Sequence, residues 1–394
     1  MDLARRLNID FVGTLPPHNG GSAVLHQLLL TGLARRGHLV RAIAPITPQA
    51  LDGGDLFARS HPEIEMMRIE VPYFHSAPDL TATKAYMKQQ QEGIRAALST
   101  LLATGTPDVI LIGRETFVDD VLALVEREIP SAVLIHGGVV WGIVRRSLPD
   151  DVIRRVLDSY DKVHLCITVA RHVADSLGRF GVECTVIENS IDTDAFRPMT
   201  QSGTLLRSHD IGEDRTVAAH ISNFKPLKRP LDIIHSAQQA LRGNPDLIYL
   251  MIGDGMMREE TERACVESGV AEHFRFTGWV DYAQMPDYIN LADIVIIPSE
   301  AEARALAYLE TQACGRTLIA SDIPAAREAV TDGETGLLFE TGSIEALTEK
   351  TLLAAGNPTL REEIGRRARA QAQGQPIDRL VGSYEQALLK LAGR

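Results

Sequence analysis

Short runs of Val, Ile and Leu alternate with amphipathic stretches along nearly all of this 394-residue chain, and no other feature restricts its fold as much. Leu7–Val12, Leu39–Ala44, Val109–Ile112, Ala132–Ile135, Val163–Thr168 and Thr185–Glu188 are predicted strands. Helical periodicity falls between them, over Gly21–Arg36, Leu80–Leu102, Phe117–Arg127, Val152–Ser159 and Ala170–Phe180. Strands this apolar, each separated from the next by a helix, belong to a parallel sheet covered on both faces. A second series follows, with strands at Thr216–Ile221, Leu247–Ile252, Arg275–Thr277, Ile294–Ile297 and Thr317–Ala320. Its helices are predicted at Leu231–Leu241, Met257–Glu267, Met285–Leu291, Ala305–Ala313, Ile344–Ala355 and Thr359–Gln373. The polar stretch Phe196–Gly203 reads as the linker, and Gly374-Gln375-Pro376 precedes a last helix at Ile377–Leu391. The expected architecture is α/β: doubly wound domains at 1–198 and 199–373 facing a cleft, and a terminal segment at 374–394. Open α/β sheets bind ligands outside the carboxyl ends of their strands, so the functional residues should lie just after strands.

Composition narrows the partners. Hydrophobic residues at 45% and charged residues at 23% fit a globular protein and exclude a disordered or fibrous chain. No run of about 18 apolar residues is present, so no membrane-spanning helix is expected. The formal charge of −12 argues against nucleic acid, and 5% aromatic residues are too few for base-stacking platforms. Cys166, Cys184, Cys265 and Cys314 have no zinc-ligand spacing and sit among apolar neighbours, which reads as buried free thiols in a reducing cytoplasm. Met1–Asn8 has no apolar core and does not read as a signal peptide.

Five segments after strands could touch a ligand. Gly20 and Gly21 open a helix whose N-terminus would favour an anion; taken alone they read better as an ordinary turn capped by Ser22. His136, at a strand end before two glycines, could present its ring to a cleft or equally be bonded within its domain. Ser222–Arg229 carries Lys225, Lys228 and Arg229 at the head of a helix, which suits a diphosphate somewhat better than a solvated loop. Gly253-Asp254-Gly255 is a tight turn whose Asp is more often a helix cap. Finally, Glu302 precedes a helix bearing Glu310, about 12 Å away along a helical axis. That spacing is too long for two carboxylates sharing a proton and suits a grip on two parts of one ligand. Amides at Arg304, Ala305 and Leu306 could hold a phosphate at the helix start.

In order and surroundings these segments resemble the family-4 retaining glycosyltransferases of GT-B fold. Glu302 and Glu310 match the family's Glu-x7-Glu signature, and Ala292–Ser299 resembles the strand before it. Ile252–Gly255, Phe276–Val280, Cys314-Gly315 and Asp332–Gly336 match flanking segments, and Val186–Asp192 with Phe196-Arg197-Pro198 resembles its hinge. The similarity is densest from Val217 to Phe339. The resemblance implies an acceptor-binding N-terminal domain, a nucleotide-sugar-binding C-terminal domain and a last helix crossing back to the first. It implies that His136, Lys228 and Glu302 act at the reacting centre. Gly20, Gly21, Asn223, Lys225, Gly253, Trp279, Val280, Arg304, Ala305, Leu306 and Glu310 would bind the donor.

Two departures stand out. Asn223 occupies the position where the family usually has Arg, so Lys225 or Arg229 would supply the missing charge. Ala303-Arg304-Ala305 replaces a glycine-containing sequence and would crowd the sugar pocket or let Arg304 contact an acidic acceptor. The implied reaction moves a hexosyl group from a nucleotide sugar, with uridine the first expectation for the base, to an acceptor hydroxyl with retention. No cofactor or metal is expected: Asp192-Thr193-Asp194 reads as turn chemistry in preference to a metal site. Arg145, Arg146, Arg154 and Arg155 read as a solvated face. The alternatives are a nucleotide-sugar epimerase, a scaffold that has lost catalysis, and a sugar-binding module.

Overall fold

The computed structural model describes residues 6–17, 20–48, 55–72, 80–125 and 128–394. His18 and Asn19 of the first loop, Met1–Arg5 and the Glu126-Arg127 end of one predicted helix lie outside them. The first sheet comprises β1 (Asn8–Val12), β2 (Leu39–Ile46), β3 (Ile64–Glu70), β4 (Val109–Ile112), β5 (Ser131–Ile135), β6 (Leu165–Thr168) and β7 (Thr185–Val186). Its order is β3-β2-β1-β4-β5-β6-β7, parallel throughout. The second comprises β8 (Thr216–Ile221), β9 (Leu247–Ile252), β10 (Phe274–Gly278), β11 (Ile294–Ile297), β12 (Thr317–Ser321) and β13 (Leu337–Phe339). Its order is β10-β9-β8-β11-β12-β13, again parallel. Both sheets therefore run 3-2-1-4-5-6 over six strands, with the order reversing beside β1 and β8, where such folds form their crevices.

The central strands are apolar because both faces are covered. Every residue of β4, β9 and β11 is buried. β3 escapes sequence reading because Glu65, Arg68 and Glu70 interrupt its apolar residues, as an edge position allows. β13 escapes it because three residues carry no period.

The chain forms two units, residues 1–189 with 378–394, and residues 190–377. The division falls at Asn189/Ser190, so the stretch expected to be a linker belongs to the second unit. Arg369 donates to the carbonyls of Thr193, Phe196 and Ala313 at 2.7–2.8 Å, and Asn290 binds both the Met199 N–H and the Arg197 carbonyl. These pin a polar segment that composition alone reads as loose. Ser202, near the end of the expected linker, caps a short helix that follows it, Gly203–Ser208.

The helix Ile377–Leu391 begins at the division, and residues 378–394 belong to the first unit. Leu380, Val381, Tyr384 and Leu388 are buried, and Glu385 receives Arg36 at 2.6 Å and His38 at 3.0 Å. A Cβ on Gly32 would lie 2.4 Å from Val381, so only glycine permits this approach of the two helices. Among the described residues no helix is long and apolar enough to cross a membrane.

Candidate active site

In the second unit the crevice beside β8 is built from the strand outward. His220, buried at the end of β8, donates through Nδ1 to the Ile296 carbonyl at 2.9 Å, tying β8 to β11. Its Nε2 then accepts from Ser222 Oγ at 2.8 Å, and that oxygen accepts from the Phe224 N–H. Burial pulls the His220 pKa down to about 4, so the ring is neutral and serves this chain of bonds. The next turn supports the same loop. A Cβ on Gly253 would lie 1.9 Å from the Ser222 carbonyl, and its φ of 116° is also closed to other residues. Asp254 is not a helix cap here: its Oδ1 accepts from the Gly255 N–H at 2.7 Å, while the following helix, Arg258–Glu267, has Met257 at its cap position.

The three cations are each placed differently. Lys228 ends a single 3-10 turn and its Nζ donates to Glu302 Oε1. The same oxygen accepts from Ser299 Oγ at 2.7 Å, just past β11. Arg229 grips Asp232, in the first turn of the helix that it precedes, at 2.7 and 3.1 Å. Lys225 is exposed at the cap of the turn. Asn223 Oδ1 is buried and has no hydrogen-bond partner among the described residues.

The helix bearing Glu310 starts at Leu306, with Ala305 at its cap. Glu302 therefore precedes the helix, and the 12 Å axial spacing does not apply between the two acids. Glu310 is buried, and burial raises its pKa to about 7, offset in part by the neighbouring Tyr282 hydroxyl. Arg304 is buried, and its Nη2 donates to Gln375 at 3.0 Å, drawing the guanidinium toward the segment before the last helix. Trp279 is half-exposed, and Val280 packs against the core.

In the first unit the sequence-derived residues find other neighbours. Gly20 is the cap residue of the helix Gly21–Arg35 and no side chain caps it, so the expected Ser22 cap is absent and Ser22 lies within the first turn. His136 follows β5 and lies 2.9 Å, Nε2 to Nε2, from buried His26 on that helix. Burial, with a smaller contribution from Arg114, lowers the His136 pKa to about 4. Glu115, after β4, has its pKa raised by burial and accepts from the backbone N–H of His136. No sequence signal marked His26, His220 or Glu115. Cys184 is only half-buried, which corrects its reading as a core thiol. Asp192 Oδ1 accepts from the amides of Asp194 and Ala195 at 2.9 and 3.1 Å, which is turn chemistry.

Two family models cover most of the chain: one described as glycosyltransferase family 4 over residues 19–195, and one described as glycosyl transferases group 1 over residues 202–371. The chain belongs to the family-4 glycosyltransferases. A D-inositol 3-phosphate glycosyltransferase of Kribbella flavida is 30% identical over 198 residues, covering 48% of this family member and 46% of that protein. The chain spans about half the length of such curated relatives. An N-acetyl-alpha-D-glucosaminyl L-malate synthase of Bacillus anthracis is 23% identical and matches over 94% of both chains. Two solved structures share the fold. Sucrose-phosphate synthase from Thermosynechococcus elongatus has a TM-score of 0.82 at 18% identity, covering 98% of this chain and 100% of its own. The Anabaena HepE protein in complex with UDP and glucose has a TM-score of 0.77 at 16% identity, with the same coverage. Both are GT-B proteins, and this family member has their two-sheet architecture.

Proposed function

We propose that the protein is a retaining glycosyltransferase that moves a hexosyl group from a nucleotide sugar, first of all a UDP-sugar, to an acceptor hydroxyl. The observation that carries this reading is the Lys228–Glu302 pair at the carboxyl edge of β8 and β11, held by Ser299 and placed in the loop that the His220–Ser222 chain anchors at its start. A lysine paired to a carboxylate beside a crevice can exchange that partner for a diphosphate, and the carboxylate it releases can accept from sugar hydroxyls. Glu310, whose burial favours the neutral acid near pH 7, would bind ribose hydroxyls as donor or acceptor. The amides of Arg304, Ala305 and Leu306 lie at the start of the following helix, where an anion is favoured. Gly253, Trp279 and Val280 would contact the base, and Asn223 Oδ1 and Lys225 the nucleotide.

Catalysis would then be electrostatic. Lys228 would stabilise charge on the leaving diphosphate, and that phosphate would assist deprotonation of the acceptor on the same face of the sugar. Gly20, Gly21 and His136 in the first unit would meet the diphosphate and the sugar. The reaction would need no metal. A structural neighbour solved in complex with UDP and glucose supports the uridine donor.

The test is thermal unfolding with UDP-, GDP-, ADP- and TDP-sugars, with and without magnesium. A ligand at 100 times its Kd adds about 2.7 kcal/mol to the native state. One nucleotide should respond without magnesium, and Glu310→Ala should weaken that response. No response to any nucleotide sugar would overturn the reading in favour of a scaffold that has lost catalysis. Isomerisation of a donor without an acceptor would replace it with an epimerase.

A further inference from the structure

Two imidazoles meet in the first unit through a chain of bonds whose proton positions can be deduced. His26 Nδ1 lies 2.8 Å from the Thr14 carbonyl, just past β1. A carbonyl only accepts, so His26 carries a proton on Nδ1. His26 is fully buried and packs edge-on against Phe11, with ring centroids 5.0 Å apart. Burial disfavours a second proton, so its Nε2 is an acceptor. His136 Nε2, 2.9 Å away, must then donate. The two rings meet at an interplanar angle of 63°, centroids 4.9 Å apart. The neutral His136 ring consequently holds its one proton on Nε2 and offers Nδ1 as a lone pair. The charged groups beside it, Arg114 and Glu115, come from the loop after β4, and the Glu115 carboxyl takes the His136 backbone N–H instead of the ring.

We propose that His26 is a positioning residue that sets the tautomer of His136, so that His136 presents Nδ1 as an acceptor for a sugar hydroxyl. This rests on the glycosyl-transfer reading above for its purpose, but the proton positions stand apart from it. In that reading His26 touches no substrate; it acts through His136, as second partners of functional histidines do elsewhere. A hydroxyl donating to Nδ1 would be oriented while the ring stays neutral, and a ring with the opposite tautomer would present an N–H there and repel that hydroxyl proton.

The experiment uses the full chain. Nitrogen-15 NMR of the histidine rings at neutral pH should find His26 protonated on Nδ1 alone and His136 on Nε2 alone. In His26→Leu the His136 signals should lose this single state. Turnover of the responding nucleotide sugar should fall on the order of tenfold to a hundredfold with little change in KM for the donor. His26→Gln, whose carbonyl can accept from His136, should recover most of that loss. His136 protonated on Nδ1, His26 protonated on both nitrogens, or unchanged His136 signals in His26→Leu would each overturn the proposal, and the wild-type spectrum decides this even if the leucine variant does not fold. The stated tautomers without turnover of any nucleotide sugar would support the pairing and overturn the glycosyl-transfer reading instead.

Discussion

Beside β1, where the strand order of the first sheet reverses, the side chains are two neutral imidazoles and a buried carboxyl. Beside β8, at the equivalent point of the second sheet, they are a lysine–glutamate pair under a loop carrying two more cations. The strand order is the same through six strands. The topology thus provides a crevice in each unit, and the residues after the first and fourth strands, with those after the fifth in the first sheet, decide what it suits. A paired cation suits an anion that can displace its carboxylate; neutral rings with assigned protons suit hydroxyl groups. The units also differ in closure. The second is continuous in sequence, whereas the first is completed by the last seventeen residues, 378–394.

Removing Asp378–Arg394 tests that difference most severely. The first unit would lose four buried side chains, Leu380, Val381, Tyr384 and Leu388. At about 1.5–3 kcal/mol each, the loss is on the order of the whole stability of a domain. Limited proteolysis should then degrade residues 1–189 and spare 190–377; equal sensitivity of both would remove the asymmetry. Lys228→Ala should come next, lowering kcat with a nucleotide sugar about 10²–10³-fold, the usual loss for one electrostatic stabiliser. An unchanged kcat would deprive the second crevice of its catalytic role.

A pH series of urea unfolding sharpens the contrast further. Glu310 keeps its proton up to about pH 7 when folded, against 4.5 for the ordinary group. Between those values the folded state binds more protons, so stability falls as pH rises, by up to about 3 kcal/mol from this group. His136 works in the opposite sense. Its folded pKa of about 4 lies below the usual 6.5, so its contribution is complete above pH 6.5 and is lost as pH falls toward 4. Glu310→Gln should flatten the first dependence and leave the second; if both slopes persist, the carboxyl is not buried as described. The smallest effect belongs to Asp192→Ala, which removes two turn hydrogen bonds at a cost of about 1 kcal/mol. The loss should be equal with and without magnesium, and a magnesium-dependent loss would reinstate the metal reading of Asp192-Thr193-Asp194.

The parts of the site legible in the sequence were those whose chemistry is local. Lys228 lies in a short basic loop directly after a predicted strand, and Glu302 follows an apolar run four residues long. Strand-end placement alone made both candidates. Asp254 and Ser22 had the composition of helix caps, but each lies on a turn where backbone geometry took a different course. His26 was invisible because its partner is 110 residues away, and His220 because its carbonyl acceptor is 76 residues away. Neither separation has a period or a motif.

By itself the sequence determined two parallel sheets, their helical cover and the loops where chemistry sits, because hydrophobic periodicity and strand-end composition act over a few residues at a time. Only the tertiary structure decided that Lys228 meets Glu302, that Arg229 is held by Asp232 and that two histidines from different elements lie 2.9 Å apart. It also decided that the polar stretch after Asn189 is packed, since the partners that satisfy its carbonyls, Asn290 and Arg369, come from 93 and more residues downstream. Such contacts depend on strand order, and strand order is set by how whole sheets bury their faces.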